Sequence, residues 1–170
     1  MTNDEIYRQI CQRVEAGLPV TLTVTGRSME PLLKGNSTTV TLVKPALPIK
    51  KYNIALYRRD NGTVVLHRVI GKRREACESK IRRGERREYG GKYNFRGDSE
   101  YNTEKGVPFK SISAIAIMAE TDGKTRKLTG LRHNIYGFLR VKTLILRRII
   151  HALGKRTRKR SVEGEEWRVE

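Results

Sequence analysis

Polar and apolar residues follow two different periods along this chain. Over residues 3–16, Ile6, Ile10 and Val14 recur at four-residue spacing, which predicts a short helix with one apolar face. Asn3 is placed to cap it and Gly17 to stop it. From Val20 to Thr25 the period drops to two. Val20, Leu22 and Val24 alternate with threonines, which predicts a strand with one buried and one hydroxyl-lined face. Thr39–Val43, Ile54–Tyr57, Thr63–Ile70, Tyr93–Arg96 and Ile112–Met118 read as further strands. Turn residues separate them. Glu30-Pro31-Leu32-Leu33 predicts a turn or one helical turn, punctuated by Gly35-Asn36. Pro45 and Pro48 interrupt the next stretch, and Asp60-Asn61-Gly62 predicts a hairpin. Gly97-Asp98-Ser99 and Asp122-Gly123 supply two more turns. Short strands joined by turns predict a mainly β domain with flanking helices, antiparallel and partly barrel-like.

Two segments depart from that rhythm. Residues 72–92 are dominated by Lys, Arg and Glu with glycines at 84, 90 and 91, and read as a solvated insertion or long hairpin. Between Tyr136 and Leu153 the helical period returns. Phe138, Leu139, Val141, Leu144, Ile145, Ile149 and Leu153 recur at three and four, with Arg140, Lys142, Arg147 and Arg148 interleaved. The predicted organisation is a helix at 1–17, a β domain at 18–130, a basic amphipathic helix at 131–154 and a charged tail at 155–170 carrying the lone Trp167.

Composition narrows the partners more than the fold. The chain has 170 residues, enough for one domain with a real core, and a net charge of +18, which favours anionic partners. No apolar run approaches the roughly 20 residues of a spanning helix. The first residues, MTNDEIYRQICQRVEAG, lack the basic start and apolar centre of a signal peptide. A cytoplasmic protein, or one peripheral at the cytoplasmic membrane, is expected. Cys11 and Cys77 lie far apart and outside any CxxC pattern, so they read as free thiols in a reducing compartment, and no metal or organic cofactor is expected.

The candidate chemistry lies in two places. Ser28 follows the first strand, and His67 lies within a later one. A serine hydroxyl is a poor nucleophile until a neighbour takes its proton, and a neutral imidazole suits that task near neutral pH. Either residue alone reads as structure: Ser-Met-x-Pro is a common turn, and a strand histidine is more often a packed side chain than a base.

Three ordered blocks sharpen the picture. Gly26-Arg27-Ser28-Met29-Glu30-Pro31 resembles the nucleophile motif of the signal peptidase superfamily, which includes the self-cleaving SOS-repressor peptidases. His67-Arg68-Val69-Ile70-Gly71 is similar to the segment that usually begins with the catalytic Lys, with His in its place as in the Ser-His signal peptidases. Gly97-Asp98-Ser99 resembles the third block. The likeness spans roughly residues 20–120. It implies Ser28 as nucleophile, His67 as general base and Asp98 as the supporting carboxylate, with the Ser28 N–H facing the oxyanion. It also implies Gly26, Met29 and Pro31 beside the substrate. Departures are visible. Gly26 replaces a serine that often adds an oxyanion donor, and Asn36 and Asn53 stand where aspartate is frequent. The acidic residue expected after the third block falls on Glu104. Arg68 is expected to face solvent by alternation, and Lys34 and Lys44 to be surface residues rather than bases.

The resemblance implies a bacterial-type serine endopeptidase acting on an extended segment of a peptide or protein. A catalytically silent peptide-binding module of the same fold is the alternative. A basic membrane- or nucleic-acid-associated adaptor is a third reading. For residues 136–160, packing on the β domain ranks first, an anionic membrane surface close second and nucleic acid last.

Overall fold

The computed structural model describes residues 3–73 and 91–143. Helix α1 (Asn3–Glu15) leads into β1 (Val20–Thr23), β2 (Thr38–Val43), β3 (Ile54–Arg58) and β4 (Val64–Arg73). After residues 74–90 come β5 (Lys92–Arg96), β6 (Glu104–Pro108), a single 3-10 turn (Phe109–Ser111), β7 (Ile112–Thr121), β8 (Lys124–Lys127) and α2 (Leu131–Lys142). Asn3 is the first residue of α1 rather than its cap. Gly17 ends it as expected, with φ of 78° and a Leu18 N–H to Arg13 C=O bond of 2.9 Å.

All strand pairs are antiparallel, in the order β1-β2-β7-β3-β4-β5-β6, with β8 folded back on β7. Among the described residues the path is open from β1 to β6, so the sheet does not close and the barrel-like expectation is corrected. Register shifts in the β2–β7, β3–β7, β4–β5 and β5–β6 pairs mark bulges, which bend strands and raise local twist.

Strands β3 and β7 lie at the middle of the sheet, which explains their near-continuous apolar sequences. Ile54 and Leu56 join one cluster with Val40, Leu42, Ala114 and Ala116. Ala55 and Tyr57 point the other way, into a second cluster with Val69, Tyr93, Phe95 and Ile115. The first cluster is covered by Ile10 and Val14 of α1 and by Met29, Leu32 and Leu33 of the loop after β1.

Two strands were not anticipated. β6 (EKGVP) carries no apolar alternation, and every residue of β8 (KTRK) is exposed. The hairpin between β7 and β8 turns at Asp122 and Gly123, both with positive φ, as the sequence predicts. The helix expected at 131–154 starts at Leu131; its continuation to residue 154, the core of the basic insertion, the tail, Cys77 and Trp167 all fall outside the described residues.

Candidate active site

Ser28 sits in the loop between β1 and β2. That loop is fixed at its base by Val24 N–H to Thr38 C=O (2.8 Å) and internally by Leu33 N–H to Met29 C=O (3.0 Å). Met29 is 1% exposed, so its side chain anchors the loop in the core directly beneath Ser28. A second loop, residues 97–100, grips the serine from outside. The Ser99 N–H and hydroxyl both donate to the Ser28 carbonyl at 2.9 Å. Gly97 lies so close that a Cβ there would stand 2.6 Å from the Ser28 carbonyl oxygen and 3.0 Å from Ser28 Cβ. Only glycine fits this approach.

His67 lies on β4 in register with Ala55, so it shares the face of Tyr57. It is 2% exposed. Nδ1 is 3.2 Å from the Tyr57 hydroxyl, and Nε2 is 3.6 Å from Glu100 Oε2. Burial lowers the imidazole below its ordinary 6.5, and the Glu100 carboxylate partly opposes that. The ring is therefore neutral at neutral pH.

Ser28 and His67 converge on loop 97–100. The position of a Cβ on Gly97 is 3.0 Å from both Ser28 Cβ and the Glu100 carboxyl carbon, and Glu100 in turn approaches His67 Nε2. Among the described residues the hydrogen bonds that tie Ser28 to this loop run through its carbonyl, and none joins its hydroxyl to His67.

Asp98 is expected to support His67, but both its carboxylate oxygens accept from Arg68, Nε to Oδ1 and Nη2 to Oδ2, each at 2.7 Å. A carboxylate that does approach the His67 ring is Glu100, 3.6 Å from Nε2, which the sequence does not single out. Arg68 is not on a solvent face. It is fully buried, the largest such side chain described, and also donates to the Tyr52 carbonyl at 3.0 Å, with His133 Nε2 of α2 at 2.9 Å. Alternation placed it on the opposite face from His67 correctly, but α2 covers that face. Glu104, where the resemblance places an acidic residue, accepts from the Tyr57 hydroxyl at 2.6 Å and from Arg59 at 2.8, 2.9 and 3.1 Å. Burial opposes its ionisation, but the bonds from Arg59 and Tyr57 outweigh it and hold the carboxyl below its usual value.

A cleft of about 780 Å³ opens beside Ser28. One wall is Leu22–Gly26, the other is Thr63–Leu66, and Ile6, Tyr7 and Ile10 of α1 form its back. Among the described residues both walls have a backbone edge that pairs with no other strand: β1 pairs with β2 alone, and Val64–His67 pair with β3 while β5 joins β4 from Arg68 onward. Gly26 and Met29 line the cleft. Pro31 is exposed and outside the lining. Lys34 and Lys44 are surface residues, Lys44 pairing with Glu15 at 2.9 Å. Among the described residues no cluster of three or more His, Cys, Asp or Glu could hold a metal ion.

No protein-family model matches the chain, and no curated protein matches it.

Proposed function

We propose that the protein is a serine endopeptidase of signal peptidase-like type. The observation that carries the reading is the convergence of Ser28 and His67 on loop 97–100, with Ser28 itself lining a cleft walled by β1 and the start of β4. An extended peptide laid in the cleft would pair with β1 or with the first half of β4 by main-chain hydrogen bonds. Ser28 Oγ attacks the carbonyl carbon at the cleft end. His67 Nε2 takes the hydroxyl proton and then delivers it to the leaving amine. The Ser28 N–H stabilises the oxyanion. Burial keeps the imidazole neutral and so ready to accept a proton.

Incubation with a panel of peptides bearing small residues near the centre tests this. Ser28→Ala and His67→Ala abolish cleavage and leave peptide binding in place. If both variants cut as well as the parent, the assignment is wrong. If the parent binds peptides and never cuts them, the chain is a silent peptide-binding module.

A second, compatible reading concerns α2. Leu131, Ile135, Phe138 and Leu139 are exposed, and Arg132 and Lys142 are exposed beside them. An apolar stripe flanked by cations suits the interface of an anionic membrane. No helix among the described residues is long and apolar enough to cross a membrane.

A further inference from the structure

Resting on that peptidase reading for its consequence, we propose that Tyr57 is a positioning residue that transmits the orienting effect of Glu104 to His67, leaving Nδ1 protonated and Nε2 free to accept the serine proton.

The argument is proton bookkeeping over three groups. Tyr57 is fully buried, and its ring stacks on Phe95 with centroids 4.4 Å apart, so packing fixes where the hydroxyl points. That oxygen has two partners, Glu104 Oε2 at 2.6 Å and His67 Nδ1 at 3.2 Å. Burial pushes the phenol well above its ordinary value, and Glu104 pushes it further, so it keeps its single proton. Glu104 is held ionised by the Arg59 guanidinium and has no proton to give. Two oxygens at 2.6 Å therefore require the phenol proton between them. Only lone pairs remain on the Tyr57 oxygen for His67. Nδ1 must then be the donor, and the neutral ring carries its lone pair on Nε2.

Nε2 faces Glu100, 3.6 Å away on the loop that also presses against Ser28. That is too long for a hydrogen bond but close enough to stabilise the imidazolium formed when Nε2 takes a proton. The charged groups that bear on the ring are Glu100 and Asp98 from the loop after β5, Arg59 from the end of β3 and Glu104 from β6. Asp98 is committed to Arg68. A carboxylate placed directly on Nδ1 would favour the charged ring. A neutral phenol in that place orients the ring without putting a full charge against it, which agrees with a ring that burial keeps neutral.

Nitrogen-15 NMR of histidine-labelled protein, above the pH at which the ring titrates, tests this without any substrate. The parent should show a pyrrole-type Nδ1 and a pyridine-type Nε2 at His67. Tyr57→Phe keeps the ring stack and removes the oxygen, and should abolish the Nδ1–H preference. Glu104→Ala frees the phenol proton to turn toward Nδ1, and should switch His67 to the Nε2–H form. On a cleaved peptide both variants should lose kcat by about 10²-fold with little change in KM. A parent with its proton on Nε2, or variants with unchanged nitrogen shifts, overturns the proposal. Absence of cleavage by the parent would sink the peptidase reading and leave the tautomer result standing.

Discussion

Arg68 closes on Asp98 through two parallel bonds of 2.7 Å, with side chains 1% and 2% exposed. The pair joins the chain neighbour of His67 to the chain neighbour of Gly97, the residue pressed against Ser28. The strand that carries His67 is therefore fastened to the loop that grips Ser28.

Breaking that fastening should cost stability. Arg68→Met takes two charge-assisted bonds from a buried carboxylate and should lower the unfolding free energy by about 3–5 kcal/mol. Adding Asp98→Leu removes the buried charge and should recover part of the loss. Urea melts of the two single variants and the double variant measure this. Equal and additive losses would mean the pair is not coupled.

Gly97→Ala should injure the site more than the fold. The new methyl meets the Ser28 carbonyl at 2.6 Å, backbone that has nowhere to retreat. Overpacking of this kind costs about 1–3 kcal/mol. A displacement of the nucleophile by an ångström is expected to cut kcat/KM by about 10²-fold. Gly71→Ala is the control, because its nearest contact would be Asn94 Nδ2 at an ordinary 3.7 Å. A Gly97→Ala protein that cleaves like the parent contradicts the placement of Ser28 against this loop.

Acid should destabilise the fold through two histidines. Burial lowers His67 below 6.5, and burial together with the Arg68 charge lowers His133. A base with a depressed folded value binds fewer protons folded than unfolded. Its stabilisation is complete above 6.5 and is lost as pH falls from 6.5 through the lower folded values. Melting temperature across that range reads it directly, and His133→Gln should flatten the slope. The rate should follow the same direction, with its acid limb below 6.5. Glu100→Gln removes the influence that raises His67, so its acid limb should move lower still. A limb that moves upward refutes the role given to Glu100.

Vesicle co-sedimentation checks the surface reading of α2. The parent should bind anionic vesicles more than neutral ones and release with added salt. Leu131→Glu with Phe138→Glu should weaken that binding without affecting peptide cleavage in solution, since neither side chain lines the cleft. Binding unchanged in the variant would remove this helix face as the contact.

The parts of this structure legible in the sequence are those whose signals are local. The alternation of Val20, Leu22 and Val24 announces β1, and Asp60-Asn61-Gly62 announces the β3–β4 hairpin, because both depend on neighbours within a few residues. β6 was not legible. Glu104, Gly106 and Pro108 have no preference for a strand, and they form one only because β5 offers its edge. Arg68 looked like a solvent residue because nothing near it in sequence pairs with a cation. Its partners, Asp98 and His133, arrive from 30 and 65 residues away. Ser28 and His67 stood out by residue type and order. Tyr57 looked like any apolar member of a central strand, and Glu100 like part of a turn. Their contacts with the imidazole exist only after β3, β4 and loop 97–100 have assembled.

Helix α2 packs tightly at Gly137, where an added methyl would stand 2.7 Å from Tyr52 Cβ and 3.1 Å from Arg68 Nη1. An outer helix thus rests on the same guanidinium that holds loop 97–100 through Asp98. The exposed positions of that helix can be changed without touching this contact, whereas any side chain added at Gly137 would press on Tyr52 and the Arg68 guanidinium together.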